Sequence, residues 1–141
     1  MDFDYVVTEM RPKPNLLQNL LRAYLVGGAI CMGAQAIMNF MLSLGLNQTQ
    51  AGGRTAVILI FIGALLTGLG VYDQLARFGG AGSAVPITGF ANTVVAPAME
   101  FSREGYVLGM SAQLFTISGP VLVYGVLSAV ISAGIKHMFG F

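Results

Sequence analysis

Charge is what this sequence most lacks. Its 141 residues hold seven Lys and Arg, six Asp and Glu, and one His, so charged side chains make up only 9%. Soluble domains carry about 25%. Hydrophobic residues reach 55% and mean hydropathy is +0.75, which excludes an ordinary water-soluble domain and makes lipid the expected solvent. A formal net charge of +1 excludes an electrostatic nucleic-acid binder. A single cysteine, Cys31, excludes a disulfide framework and a cysteine zinc site. The single histidine, His137, has no ligand-type neighbour at metal spacing and reads as an interfacial residue. No metal site and no cofactor is expected.

What is present is length without charge. Residues 1–14, MDFDYVVTEMRPKP, read as an exposed arm, because Pro12 and Pro14 disfavour helix before them. Asn15 is placed to cap a helix. A first span is expected over 15–44, with an interfacial start and an apolar run from Ala23 to Leu44. Gly45–Arg54 reads as a polar turn around two adjacent glycines, and Thr55–Tyr72 as a second span. Residues 106–138 form one long apolar stretch divided by Gly119-Pro120, which predicts a kinked helix.

Between these lies RFGGAGSAVPITGFAN (77–92), a strip of glycines flanked by apolar chain. It has no lysine for a phosphate loop, and Val85 stands where a dinucleotide loop needs its third glycine. A broken helix in a membrane fits better, since irregular backbone at membrane depth occurs where protein buries it or water reaches it. The expected fold is therefore an all-α integral membrane protein with about four transmembrane segments. The third, 84–99, is a short span or a re-entrant segment preceded by the broken Gly-rich stretch 73–92.

The strip supplies candidate path residues. Gly79, Gly80 and Gly82 leave backbone amides unshielded for an anion. Ser83 or Thr88 is placed to cap a short helix, and Pro86 suits a first helical turn. Asn92 adds a polar side chain. Asp73 and Arg77, four residues apart, meet on one helix face. They read either as an interfacial ion pair or as contacts for a cation and a carboxylate. Gln35 and Asn39, one turn apart in the first span, read as interhelical hydrogen-bonding groups or as pore lining. Small residues at four-residue spacing (Ala29/Gly33, Ala64/Gly68, Gly105/Gly109, Gly125/Ala129/Ala133) predict close helix packing. No nucleophile–base pair or phosphate loop points to an enzyme.

The positive-inside rule favours an inside N-terminus. An even number of crossings then puts Arg11, Lys13, Arg22, Arg77 and Lys136 inside, with Arg54 and Arg103 outside.

Three stretches carry a resemblance: RAYLVGGAIC (22–31), LLTGLGVYDQLARFGGAGSAVPITGFANTVVAPAMEF (65–101) and REGYVLGM (103–110). They resemble the stage V sporulation protein A family over about residues 10–137. The Pro-Lys-Pro arm and the run YDQLARFGGAGSAVP are nearer its AC type than its shorter AE type. The resemblance implies a multi-pass protein of the endospore and forespore inner membrane. It implies a channel or transporter subunit for dipicolinic acid chelated with Ca²⁺, in sporulation and germination, with a response to membrane tension. It implies partners in the soluble AD-type and membrane AE-type members of the family. The alternative is a scaffold subunit with no pore of its own. No catalytic residue carries over; the motif residues are Asp73, Arg77, Gly79, Gly80, Gly82, Ser83, Pro86, Thr88 and Asn92.

Overall fold

The computed structural model describes residues 15–140; the expected arm over 1–14 lies outside them. Helix α1 runs Leu16–Ser43 and α2 runs Gln48–Gly68. Short helices follow: α3 at Val71–Gly79, α4 at Ala81–Ala84 and α5 at Ile87–Glu100. A 3-10 turn over Phe101–Glu104 leads to a π-helical stretch, Tyr106–Ser111, which continues as α6, Ala112–Phe139. No strand occurs among the described residues. Three helical segments are long and apolar enough to cross a membrane: Leu16–Ser43, Gln48–Gly68 and Tyr106–Phe139. At 14 residues α5 is about 21 Å long, short of a hydrocarbon core of about 30 Å.

Helix boundaries differ from the sequence expectation in three places. Helix α2 begins at Gln48, so Gly52 and Gly53 lie inside it rather than in a polar turn. A polar first turn is compatible with a helix whose end emerges into water, where orphan N–H groups are hydrated. The second span ends at Gly68 rather than Tyr72, because Gly70 adopts a left-handed φ of 72° that starts a separate helix. Asn15 occupies the N-cap position of α1, but its side chain makes no capping hydrogen bond.

The last segment is one continuous helix. It passes through Pro120 without a break. Its entry is irregular: Gly105 has φ 99° and ψ 162°, and its carbonyl accepts from the Met110 N–H at 3.0 Å, five residues on. Side chains pack mostly along its first half, where Ser118 is buried; from Val121 to Phe139 every residue is exposed.

Helices α1 and α2 form an antiparallel hairpin. Met41 and Leu44 face Gly53, Arg54 and Val57 across one crevice, and Cys31 and Met38 face Thr55 and Leu59 across another. The next segment folds back into this hairpin. Phe78 meets Arg22 at the start of α1, Gly79 meets Val26, and Ile87 lies beside Ala34 and Met38. Helix α5 then returns along α2: Thr88 lies against Gly63, Asn92 against Thr67, and Glu100 borders the crevice that contains Asp73. The chain thus enters between the helices and comes back to the end it left.

Candidate functional site

Helix α3 positions the site because it is strongly amphipathic. Val71, Tyr72, Leu75 and Phe78 are apolar, while Asp73, Gln74 and Arg77 form the polar side. Arg77 Nη2 and Asp73 Oδ2 are 3.0 Å apart, as the spacing predicts, and both side chains are well exposed at 81% and 65%. They are therefore available to solute and contribute little to stability.

Tyr72, on the opposite side, is buried. Its hydroxyl donates to the Ser83 carbonyl at 2.7 Å and lies 2.8 Å from Thr88 Oγ1. Ser83 Oγ donates to the Gly80 carbonyl at 2.8 Å. Buried polar groups of this kind need such partners. The three side chains tie α3, α4 and α5 into one unit. Neither Ser83 nor Thr88 caps a helix, since both hydroxyls are engaged with these neighbours. Pro86 is the N-cap of α5, one position before the first turn, with extended ψ of 163°.

The glycines of the strip serve close packing. A side chain on Gly82 would overlap the Ala23 carbonyl oxygen, and one on Gly79 would meet Val26 Cγ1 at 2.7 Å. Gly80 turns the chain with φ 52° and ψ −125°, a conformation open to glycine. Several amides of the strip are already paired within it. Gly80 N–H donates to the Ala76 carbonyl at 2.8 Å, and Ser83 and Ala84 N–H donate to the Gly80 carbonyl at 3.2 and 3.3 Å.

A second polar contact joins α2 to α5. Thr67 Oγ1 lies 2.7 Å from the Gly63 carbonyl and 2.9 Å from Asn92 Oδ1. One hydroxyl hydrogen cannot serve two acceptors fully, so the pair closes best with the Asn92 amide turned to donate to Thr67. Thr67 and Asn92 line a crevice of about 370 Å³ with Asp73, Ala96, Met99 and Glu100. On the α1 side, Arg77, Gly79 and Gly80 border a different crevice.

Asp73 and Asn92 are thus brought together, with Arg77 bonded to Asp73. Gln35 and Asn39 lie apart from this cluster; Gln35 Nε2 donates to Asn39 Oδ1 at 2.9 Å on the exposed side of α1. They bond within one helix rather than between helices. Tyr72, Thr67 and Glu100 are members that sequence reasoning did not single out. The available signal was a Thr within the cleanest apolar run and a Tyr-Asp pair at its end.

No solved structure matches the chain. The chain is similar to the stage V sporulation protein AC of Bacillus subtilis (strain 168), with 46% identity over 134 residues, covering 94% of this chain and 89% of that protein. Residues 19–135 match the family described as SpoVAC/SpoVAEB sporulation membrane protein, and they include all of the α1–α2 hairpin from Asn19, the Tyr72 knot and the Thr67–Asn92 crevice. With the family match and the relative in agreement, this all-helical chain belongs to the SpoVAC/SpoVAEB family of sporulation membrane proteins.

Proposed function

We propose that this chain is a subunit of a channel for dipicolinic acid chelated with Ca²⁺, acting across the inner membrane of the forespore and spore. The observation that carries the reading is the crevice where Thr67, Asp73, Asn92 and Glu100 converge in an otherwise apolar protein. Ionisable groups beside apolar spans mark solute paths more often than they stabilise. In this reading the Asp73 and Glu100 carboxylates meet the cation, as hard oxygen ligands suit calcium. Arg77 meets a carboxylate of the cargo. Ser83 and Thr88 hold the re-entrant segment through Tyr72 and do not touch cargo; Gly79, Gly80, Gly82 and Pro86 shape it. Gln35 and Asn39 lie outside the path.

The same reading sets the topology. With the segment 80–100 re-entrant, the chain crosses three times and the termini lie on opposite sides. Arg11, Lys13, Arg22, Arg77 and Arg103 then share the inner side, the spore core, with the N-terminus, and Arg54 and Lys136 lie outside. Lys136 and Arg103 exchange sides relative to an even-crossing arrangement, and the inside bias is kept. Release under membrane tension fits a path lined by a segment that need not cross. The AD-type and AE-type family members complete the assembly.

A scaffold role without conduction has one observation in its favour: the bare end of α6, Val121–Phe139, which leaves a long face for other subunits. Liposomes loaded with a lanthanide–dipicolinate complex and containing the purified chain separate the two. Release on osmotic downshift, with a larger trapped dye retained, supports the channel. No release from vesicles with folded protein supports the scaffold.

A further inference from the structure

The crevice on the α1 side has a chemistry that the calcium path touches only through Arg77. It is about 450 Å³, and both Arg22 and Arg77 line it, with Asn19 beside them. Arg22 comes from the second turn of α1 and Arg77 from the last turn of α3, so the fold brings to one crevice two arginines 55 positions apart in sequence. The Arg22 guanidinium carbon sits 5.1 Å from the centroid of the Phe78 ring, which holds its plane against α3. Among the described residues, Arg22 pairs with no carboxylate, and Arg77 pairs only with Asp73. A guanidinium has five N–H donors, so that one contact leaves most of Arg77's donors available.

The surroundings narrow the ligand. The other wall is Leu16 and Leu20, both well exposed on α1. Helix α3 is short, amphipathic and follows directly on the end of α2, which places it at the bilayer surface. Cationic side chains at that level meet the phosphates of anionic head groups. Guanidiniums favour phosphate over monovalent anions because their paired donors fit its oxygens.

We propose that the Arg22–Arg77 crevice binds a phosphate oxyanion, carried by an anionic lipid head group or free in solution at that membrane face. The site shares Arg77 with the proposed calcium path, but Arg22 and Asn19 lie outside that path, so Arg22→Gln separates the two, and no cargo is needed to test it. The full chain is purified in neutral detergent. Retention of phosphatidylglycerol and of phosphatidylcholine is compared by native mass spectrometry, and thermal unfolding is followed with each lipid and with inorganic phosphate at matched ionic strength.

The expected result is selective retention of phosphatidylglycerol, weakened roughly tenfold by Arg22→Gln or Arg77→Gln, the loss of a charge-assisted contact. Arg54→Gln, at the other end of the hairpin, should leave retention unchanged. Stabilisation by phosphatidylglycerol alone assigns the oxyanion to lipid; equal stabilisation by inorganic phosphate assigns it to solution. Unfolding in phosphatidylcholine reports whether each variant is intact. Equal retention of the two lipids with no phosphate effect, or a response that survives in a folded Arg22→Gln/Arg77→Gln double variant, overturns the proposal.

Discussion

The Tyr72 hydroxyl donates to the Ser83 carbonyl at 2.7 Å and so fastens the amphipathic helix α3 to the turn that follows it. Thr88 Oγ1, 2.8 Å from the same hydroxyl, extends the fastening to α5. Tyr72→Phe keeps the ring but leaves the buried Ser83 carbonyl and Thr88 hydroxyl short of a partner. The expected cost is about 1–3 kcal/mol. Unfolding in detergent measures it, and a double-mutant cycle with Thr88→Val should show a coupling of at least about 0.5 kcal/mol. Additivity of the two changes would remove the shared knot.

Gly82 and Gly33 should respond in opposite ways to alanine. A Cβ at Gly82 would overlap the Ala23 carbonyl, whereas nothing lies within 4 Å of one at Gly33. Gly82→Ala is expected to destabilise by about 1–3 kcal/mol as α1 and the strip are pushed apart. Gly33→Ala should be neutral or stabilising by up to about 1 kcal/mol, since glycine weakens a helix interior. Parallel thermal unfolding of the two variants decides it.

The Asp73–Arg77 pair should matter to flux far more than to stability. Both side chains are exposed, so Asp73→Asn or Arg77→Gln should change stability by less than about 1 kcal/mol. Under the channel reading, each of these and Glu100→Gln should lower dipicolinate flux at unchanged protein level. Wild-type flux in all three variants would remove the crevice from the path.

Thiol labelling tests the re-entrant path. In a Cys31→Ser background, cysteines replacing Gln74 and Ser102 should react from the same membrane face. Cysteines replacing Gln50 and Lys136 should react from the other. Labelling of positions 74 and 102 from opposite faces would make 84–99 a span.

The helical class was legible because an uncharged run such as Thr55–Gly68 admits few other readings. The Asp73–Arg77 pair was legible because its spacing is local. Tyr72 was not, because its partners lie eleven and sixteen residues away and depend on where the chain turns. The small-residue pattern picks out few of the close contacts made within this chain, for the same reason. A side chain at Gly33, Gly68 or Gly125 would meet nothing within 4 Å in this chain, while Gly63, Gly79 and Gly82 pack tightly against partners set by where residues 71–100 fold back on the hairpin. Of the pairs picked by spacing, Gly109 alone among these glycines is close-packed, and it meets Glu104 and Phe101 rather than another span. Four-residue spacing identifies a smooth helix face but not what lies against it.

The bare second half of α6 has a geometric corollary. Helix α3 and the Gly82 turn sit beside the start of α1, and Val121–Phe139 of α6 runs on without packed side chains. In the three-crossing arrangement proposed above, the protein is broader in one leaflet than in the other. A wedge of that kind displaces unequal lipid areas, so its insertion energy depends on the spontaneous curvature of the membrane around it. Lipids of opposite intrinsic curvature, placed in the same leaflet, should press on it in opposite senses.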